Sequence, residues 1–456
     1  MGKIRFLLAL MIGKTAGFLL RKFTGRGTNT PGVIMQKICP DVLGRFSLPS
    51  VVVFVTGTNG KTGTSNLVTH LLRRAGLSVV NNSEGSNMAP GLITALCSAA
   101  SLNGKVKADA AVLEVDERSS PYIFPHITPT HLLCTNLFRD SIKRNGHSEY
   151  IFHKIQDYLP GETTLLLNGN DPISGRLGEN VNERVFFSVK KTELSSETCP
   201  NITCDCMSCP VCHRPLAYHF YHYHHIGEPQ CACGFTMPSS RYTADNVDFA
   251  AGTFSFCEQG EEPVLLPFVG GNLFSVFNVT VAAGLCRMLG ISMQTIVEGM
   301  HDFTSAQGRF EEAAQGERRV VTMLCKNQNP VSASQSFSYL ERVQGEKDVV
   351  LLITDSKDAV HGHEDISWIY DADFEKLSSA RRILIGGTRC YDVALRLTLA
   401  GVPEEKLLLF ADYAELIRKA PELVAEKGTT VVYFELYAMA LAGQVRRAIT
   451  GEEASR

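Results

Sequence analysis

The chain lacks an excess of charge of either sign. Its 456 residues include 44 lysines and arginines against 47 aspartates and glutamates, which leaves a formal net charge of −3. This balance argues against a protein that binds nucleic acid through bulk positive charge. The apolar fraction of 44% and the charged fraction of 20% are those of an ordinary globular protein, and the length suggests about three domains.

The chain also lacks an apolar run long enough to cross a membrane. Its N-terminal apolar segment is interrupted by Lys14 and again by Arg21 and Lys22, whereas a spanning helix needs roughly 20 apolar residues. No clear signal-peptide cleavage site follows. We predict an amphipathic helix that packs on the protein, with a helix lying on a membrane surface as the first alternative and a secreted or membrane-spanning protein as the second. Unpaired cysteines in apolar segments, such as Cys97 and Cys134, indicate a cytoplasmic location.

Two runs of alternating strands and helices predict an α/β fold with parallel sheets. Strands of the first run are expected at Val51–Val55, Ala110–Leu113, Thr130–Asn136 and Thr164–Asn168. Strands of the second run are expected at Val320–Leu324, Val349–Ile353, Arg382–Ile385, Leu407–Phe410 and Thr430–Phe434. We predict an N-terminal arm at residues 1–45, a central domain at 46–305 with an insert at 199–240, and a C-terminal α/β domain at 306–456.

A glycine-rich loop, Thr56-Gly-Thr-Asn-Gly-Lys-Thr62, joins the first strand to the next helix. Its two glycines allow the backbone to approach an anion, and the N–H groups and dipole of the helix N-terminus favour phosphate. A lysine at this position supplies charge to the β- and γ-phosphates, and the hydroxyl after it can bind Mg²⁺. The alternative is a turn that only caps the helix. The predicted nucleotide-binding residues are Gly57, Thr58, Asn59, Gly60, Lys61 and Thr62.

Acidic residues follow the strand at Ala110–Leu113, in the sequence Glu114-Val-Asp-Glu117. The carboxyl ends of parallel strands face the same crevice, so Glu114 is a candidate Mg²⁺ ligand together with Thr62. Asp116 and Glu117 fit a solvated acidic turn equally well.

Seven of the fourteen cysteines lie between Cys199 and Cys233. Two close pairs of thiols suit a tetrahedral structural Zn²⁺ site, which would stabilise the insert. The predicted zinc ligands are Cys209, Cys212, Cys231 and Cys233. The second pair is one residue shorter than usual, which leaves open a replacement by Cys204, Cys206, His222, His224 or His225. The cysteines could instead form a reduced cluster without metal, or pair in redox disulfides.

These motifs resemble the Mur ligase superfamily, which combines the same phosphate loop with a downstream Leu-Glu-Val-Asp-Glu. The segments Asn168–Pro172 and Gly308–Glu311 resemble two further elements of that superfamily. Within it, the chain is similar to the MurT family, the synthetase subunits of lipid II isoglutaminyl synthases. This closer similarity rests on Thr135-Asn-Leu-Phe-Arg-Asp140, on the cysteine-rich insert and on the Ser-Trp-Ile element within Glu364–Phe374.

The resemblance implies a Mur ligase-like central domain with an inserted zinc ribbon and a second, Rossmann-like domain. It implies an ATP-dependent carbon–nitrogen ligase that uses Mg²⁺ and amidates the α-carboxyl of D-glutamate in the lipid II stem peptide through an acyl phosphate. No cysteine lies in a Gly-x-Cys-x-Gly elbow, so ammonia is expected from a separate GatD-like glutamine amidotransferase subunit. The enzyme is expected in the cytoplasm, at the inner face of the membrane.

The resemblance also implies roles for residues outside the loop. Asn278 would contact adenine and Arg309 would contact phosphate, the alternatives being an amide on the helix surface and a solvated charge. Ammonium must lose a proton before it attacks, and we predict that Asp365 positions and deprotonates it, with Asp371 and Asp355 as competing choices. The structural alternative for Asp365 is a cap of the turn before Trp368. Two alternative functions remain. One is a ligase that adds an amino acid, similar to folylpolyglutamate or cyanophycin synthetases. The other is a nucleotide-binding scaffold subunit without catalysis.

Overall fold

The computed structural model describes residues 2–24, 29–83, 86–140, 145–268, 272–303, 310–326, 328–353 and 365–452. The chain divides into two compact units. The first unit comprises residues 1–137, 148–198 and 206–305, and the second comprises residues 138–147, 199–205 and 306–456. Two short segments that precede residue 306 therefore belong to the second unit.

The first unit is built on a nine-stranded sheet. Eleven strands occur in its described residues: β1 Val51–Thr56, β2 Val79–Asn81, β3 Ala110–Glu114, β4 His131–Cys134, β5 Thr164–Asn168, β6 Arg184–Val189, β7 Ala217–Tyr223, β8 Ile226–Gln230, β9 Tyr242–Asp248, β10 Thr253–Glu258 and β11 Val264–Pro267. The sheet order is β11-β10-β9-β6-β5-β4-β1-β3-β2, and β7 pairs with β8 in a separate hairpin. Seven neighbouring strands of the sheet run parallel to one another, namely β2, β3, β1, β4, β5, β6 and β9. Strand β10 is antiparallel to β9, and β11 is antiparallel to β10.

The four strands predicted in this unit are confirmed to within two residues at each end. The other strands of the unit, β2 and β6 to β11, were not predicted. Buried residues alternate with partly exposed ones along much of β9 and β10, a pattern typical of antiparallel strands near a sheet edge. Their sequences therefore lack the continuous apolar run that marks β1, which is buried along nearly its whole length.

Eight helices occur in the described residues of the first unit. They are α1 Gly2–Thr24, α2 Thr30–Ile38, α3 Lys61–Arg74, α4 Ala89–Ala99, α5 Ser120–Ile123, α6 Ser148–Gln156, α7 Leu273–Met288 and α8 Met293–Asp302. Helix α3 packs against α7, and α1 packs against α2 and α4. Phe6 and Leu10 of α1 belong to the main core of the unit, so the N-terminal helix packs on the protein as predicted.

The second unit contains a six-stranded sheet. Its strands are β12 Phe310–Gln315, β13 Arg318–Leu324, β14 Lys347–Leu352, β15 Ile383–Gly386, β16 Leu407–Phe410 and β17 Gly428–Phe434. The order is β12-β13-β17-β14-β15-β16, and only β12 runs antiparallel to its neighbour. Its described helices are α9 Pro330–Arg342, α10 Cys390–Leu399, α11 Tyr413–Leu423 and α12 Met439–Thr450.

The five strands predicted for this unit are confirmed to within two residues, and the hairpin strand β12 was not predicted. Apolar clusters cover both faces of the sheet, as expected of parallel strands buried on both sides. None of the helices in the described ranges has both the length and the apolar character needed to cross a bilayer.

Candidate active site

The glycine-rich loop leaves the end of β1 and enters α3, as its sequence predicts. Gly57 and Gly60 have φ angles of +121° and +89°, in the region that favours glycine. A Cβ atom at Gly57 would lie 2.2 Å from Thr135 Oγ1. Any other residue at position 57 would clash with the segment that follows β4, so the loop requires glycine there.

Residues after β4 hold the loop in shape. The Thr58 N–H donates to the Asn136 carbonyl at 2.8 Å, and the Asn59 N–H donates to Asn136 Oδ1 at 3.0 Å. The Thr135 hydroxyl donates to the Asn59 carbonyl at 2.6 Å. This arrangement gives the Thr-Asn of the Thr-Asn-Leu-Phe-Arg-Asp motif a physical role, since it positions the predicted phosphate-binding backbone.

Lys61 begins α3 with only 8% of its surface exposed. Its Nζ donates to Glu117 Oε1 at 2.9 Å and to the Gly57 carbonyl. Burial alone lowers the pKa of a lysine, but the charges of Glu117 and Glu114 outweigh it and raise the pKa of Lys61 above its usual value. The side chain therefore stays positively charged. Glu117, for which the sequence allowed a solvated turn, is its buried partner, and the sequence carries no signal that separates it from Asp116.

Thr62 and Glu114 meet as the sequence predicts for a Mg²⁺ pair. The Thr62 hydroxyl donates to Glu114 Oε2 at 2.8 Å, and the Asn87 amide donates to the other carboxylate oxygen at 3.0 Å. Asn82 binds the backbone of Glu114 on both its N–H and its carbonyl. Oxygen donors of this kind suit Mg²⁺, so the residues fit the ion.

Asn278, on α7, lies against the same loop. Its Oδ1 accepts a hydrogen bond from the Thr64 hydroxyl at 3.1 Å, and a Cβ atom built on Gly60 would lie 2.6 Å from that oxygen. The predicted contact with adenine stays a prediction. Arg309 lies outside the described residues.

The four cysteines predicted to bind zinc converge. Their Sγ atoms all lie within 4.8 Å of one another, with 3.6 Å between Cys209 and Cys233 and 3.5 Å between Cys212 and Cys231. A tetrahedron with Zn–S bonds of about 2.3 Å has edges of about 3.8 Å. Arg214 lowers the pKa of the Cys212 thiol to about 6, which favours the thiolate that metals bind. The residues therefore fit a structural zinc ion.

The alternative ligands lie elsewhere. Cys204, Cys206 and the three candidate histidines are not part of the four-thiol group. His222 Nδ1 lies 3.0 Å from Ser195 Oγ, and its Nε2 donates to the Val189 carbonyl at 3.0 Å. His225 Nε2 lies 3.2 Å from Asp171 Oδ1, with both side chains fully buried. His224 is also buried.

The competing aspartates of the second unit differ in their surroundings. Asp365 is exposed and its Oδ1 accepts from the Ser367 N–H at 2.8 Å, at the start of the 3₁₀ turn Ser367–Tyr370. Asp371 Oδ1 lies 3.8 Å from Arg139, which also pairs with the buried Asp205. Burial raises the pKa of Asp371, while Arg139 opposes the shift. Asp355 lies outside the described residues.

Residues 325–439 match a family model described as MurT ligase C-terminal. The chain is 33% identical to the lipid II isoglutaminyl synthase (glutamine-hydrolyzing) subunit MurT of Staphylococcus aureus, over 86% of this chain and 88% of that protein.

Two solved structures are similar in fold. A pseudomurein peptide ligase type C from Methanothermus fervidus gives a TM-score of 0.68 at 20% identity, with 91% of this chain and 84% of the other covered. The MurF ligase from Thermotoga maritima in complex with ADP gives 0.57 at 17% identity, with 92% and 84% covered. The predicted Mur ligase-like α/β fold is confirmed.

Proposed function

The chain belongs to the MurT family, and on that premise we propose that it is the synthetase subunit of a lipid II isoglutaminyl synthase. The observation that carries the proposal is the buried, charged Lys61 at the start of α3, inside a glycine loop of phosphate-binding shape. Transfer of the γ-phosphoryl group requires a cation and a Mg²⁺ site placed together in this way, and the assay below separates a ligase from a nucleotide-binding scaffold.

The proposed reaction has two steps. The α-carboxylate of D-glutamate in the lipid II stem peptide attacks the γ-phosphorus of ATP, which forms an acyl phosphate and releases ADP. Ammonia then attacks the acyl carbon, the C–O bond to phosphate breaks, and inorganic phosphate leaves with the bonding electron pair. The proton that ammonia loses must pass to a base. The product is a D-isoglutamine residue, which is the α-amide of D-glutamate.

The residues of the first unit would handle the phosphates. Lys61 would exchange Glu117 for phosphoryl oxygens, where its charge counters the charge that develops during transfer. The N–H groups at the start of α3 would point at the same oxygens. Thr62 and Glu114 would hold Mg²⁺, which neutralises phosphate charge when bound. Asn278 and Arg309 are proposed for adenine and phosphate.

Asp365 is the residue we propose for positioning ammonia and taking its proton. Its carboxylate is exposed, so an incoming molecule can reach it. Ammonia would come from a GatD-like glutaminase subunit, because the chain has no cysteine in a nucleophile elbow. We place the enzyme in the cytoplasm at the inner face of the membrane, where lipid II presents its peptide. Zinc would stabilise the insert and take no part in the reaction.

The test combines purified chain, lipid II, ATP, Mg²⁺ and ammonium chloride, followed by mass spectrometry of the stem peptide and assay of ADP. We expect ADP release and exchange of one hydroxyl for an amino group. Free amino acids in place of ammonium should give no product. An amino-acid adduct would instead assign the chain to the amino-acid-adding ligases, and the absence of ADP in both reactions would refute the ligase function.

Asp365→Asn separates catalysis from turn capping, because asparagine caps a turn about as well as aspartate but cannot accept the proton. We expect kcat with ammonium to fall about 100-fold while the KM for ATP and the thermal stability stay unchanged. Asp371→Asn, which removes one of the two carboxylates beside Arg139, should affect stability more than kcat. Unchanged turnover of Asp365→Asn would exclude this residue as the base.

A further inference from the structure

Helix α1 has two apolar faces, and only one of them is used by the fold. Phe6, Leu10 and Gly13 lie on the buried face. The opposite face exposes large apolar side chains, with Ile4 at 75%, Phe18 at 60% and Phe23 at 75% exposure. At 100° per residue, the exposed apolar residues fall within an arc of about 140°; they are Ile4, Leu8, Met11, Ile12, Phe18, Leu19 and Phe23. We call this arc the open face of α1.

The open face is held in place by the rest of the unit. A Cβ atom on Gly13 would lie 2.3 Å from Met35 Sδ, so α1 sits closely on α2. Lys14 Nζ donates to the Cys97 carbonyl at 2.8 Å, and Arg21 donates to the Ser98 hydroxyl at 3.3 Å. These contacts tie α1 to α4. The helix therefore cannot rotate to bury its open face without leaving the core.

The charge around the open face has one sign. The first acidic residue of the sequence is Asp41, so α1 and α2 contain none. Lys3, Arg5, Arg21 and Lys22 are all exposed on α1. On the helical wheel, Lys3 and Arg21 lie about 60° beyond one edge of the open face and Arg5 lies on the other edge. These cations are placed at both ends of a helix about 35 Å long. Cations at these positions match the headgroups of an anionic lipid surface.

The open face also contains few polar groups that would lose hydrogen bonds to water if it were buried in lipid. Within its arc the polar residues are Thr15, Lys22 and, at the same edge as Phe23, Arg5. The Thr15 hydroxyl donates to the Met11 carbonyl at 3.0 Å, inside the helix, and a lysine can extend its ammonium to the headgroups while its stem stays in the apolar layer. Burial in lipid would therefore leave no hydroxyl without a partner, which removes the main cost of desolvating a polar group.

We propose that the open face of α1 is a membrane-docking surface that inserts at the boundary between the headgroups and the acyl chains of an anionic bilayer. The cations at the headgroups would be Lys3, Arg5, Arg21 and Lys22. The helix lies on the membrane without crossing it. The inference rests on α1 alone and deepens the proposed function only in giving the enzyme a way to remain beside a lipid-linked substrate.

The test is flotation of the purified full chain with phosphatidylcholine vesicles that contain or lack phosphatidylglycerol. We expect binding at least about tenfold stronger to the anionic vesicles, weakened by salt. The double substitution Phe18→Glu/Phe23→Glu should lower this binding at least about tenfold. The control is Val181→Glu/Leu265→Glu, since those side chains are similarly exposed, at 65% and 62%, and Leu265 lies on β11, at the sheet edge opposite β2.

A second pair of variants tests the charges. Lys3→Gln/Lys22→Gln should lower anionic-vesicle binding about tenfold and reduce its salt dependence, with unchanged binding to neutral vesicles. Circular dichroism and thermal melting should show every variant folded, because the changed side chains are exposed. Equal vesicle binding by the wild type and the Phe18→Glu/Phe23→Glu variant would overturn the proposal. So would the finding that this variant loses the glutaminase subunit and not the vesicles, which would make the face a protein interface.

Activity separates this inference from the proposed function. The Phe18→Glu/Phe23→Glu variant should amidate detergent-solubilised lipid II like the wild type and vesicle-embedded lipid II at least about fivefold more slowly. If the wild type amidates neither substrate yet binds anionic vesicles through α1, the proposed function fails and the docking surface stands. If the wild type amidates both substrates while neither the wild type nor the variant binds vesicles, the docking surface fails and the proposed function stands.

Discussion

The phosphate loop and the histidine-rich hairpin strand β7 both bury ionisable side chains in the first unit, with opposite results for charge. Lys61 is buried beside Glu117, and the nearby carboxylates raise its pKa. His222 is buried between Ser195 and the Val189 carbonyl, and burial lowers its pKa to about 4. Desolvation opposes the charged form in both. The difference between them is therefore the counter-charge.

This comparison shows which of the two regions is ready for chemistry on an anion. A buried ammonium group can exchange its carboxylate partner for phosphate oxygens without first gaining a proton. A buried neutral imidazole held by a hydroxyl and a carbonyl is satisfied where it is. The insert thus serves as structure around its four thiols, although its sequence is the richest in potential ligands.

Removal of the cation from the phosphate loop should have the largest effect. We expect Lys61→Ala to lower ATP-dependent amidation about 1,000-fold, because the developing phosphoryl charge loses its main cation. ADP release in the ammonium assay measures the effect. Lys190→Ala, at an exposed lysine of the same unit, is the matched control. Comparable activity in the two variants would show that Lys61 is not part of the phosphate site.

Removal of metal tests the insert as a structural region. Cys209→Ser should abolish one equivalent of bound zinc, measured by elemental analysis, and should destabilise the chain by several kcal/mol, since a structural site contributes folding energy. Cys257→Ser, a partly buried cysteine outside the four-thiol group, should retain the metal. Full zinc content in Cys209→Ser would remove Cys209 from the ligand set.

The counter-charge itself can be deleted. Glu117→Gln leaves Lys61 buried without its carboxylate, which we expect to destabilise the chain by about 3 kcal/mol. Saturating ATP and Mg²⁺ should recover most of the loss, because phosphate replaces the missing anion. Thermal and denaturant unfolding measure both values. Glu179→Gln, whose exposed carboxylate lies 3.9 Å from Arg184, should cost less than about 1 kcal/mol. A nucleotide-independent cost at Glu117 would show that the pair serves only the fold.

The sequence predicts the phosphate loop well because each of its steps is local. The apolar run of β1, the glycines with positive φ and the Lys-Thr at the helix start follow one another within a dozen residues. The partner Glu117 depends on how the turn after β3 folds, and neither charge nor spacing distinguishes it from Asp116. The pairing of Asp205 with Arg139, 66 residues away in the sequence, likewise depends on the fold and has no local signal.

The insert shows the opposite limit. Its cysteine spacing predicts the four thiols that converge, because the pairs are close in the sequence. Its histidines look like equally good ligands, yet burial turns them to other partners, and burial is a property of the whole unit. Strands β9 and β10 were missed for a related reason, since their alternating pattern has meaning only once the sheet edge is known.

The most gradual effect is expected from pH, at no more than about 1.4 kcal/mol per pH unit, and it sharpens the contrast between the two regions. The pKa of His222 is about 4 in the folded chain and about 6.5 when unfolded. Between these values the unfolded chain binds more protons, so stability should rise with pH across this window, by up to about 1.4 kcal/mol per pH unit. The contribution is complete above the unfolded pKa and is lost as the pH falls toward 4.

His222→Gln should flatten this part of the stability profile, because glutamine can still donate to the Val189 carbonyl but does not titrate. The profile is measured by urea unfolding from pH 4.5 to pH 7.5, roughly the window between the two pKa values, and expressed as the difference from the wild type, so that any acid-dependent loss of zinc common to both proteins cancels. His219→Gln, at an exposed position of the same strand, should leave the slope unchanged. An equal slope in wild type and His222→Gln would mean that His222 keeps its charge on burial, and the contrast with Lys61 would then disappear.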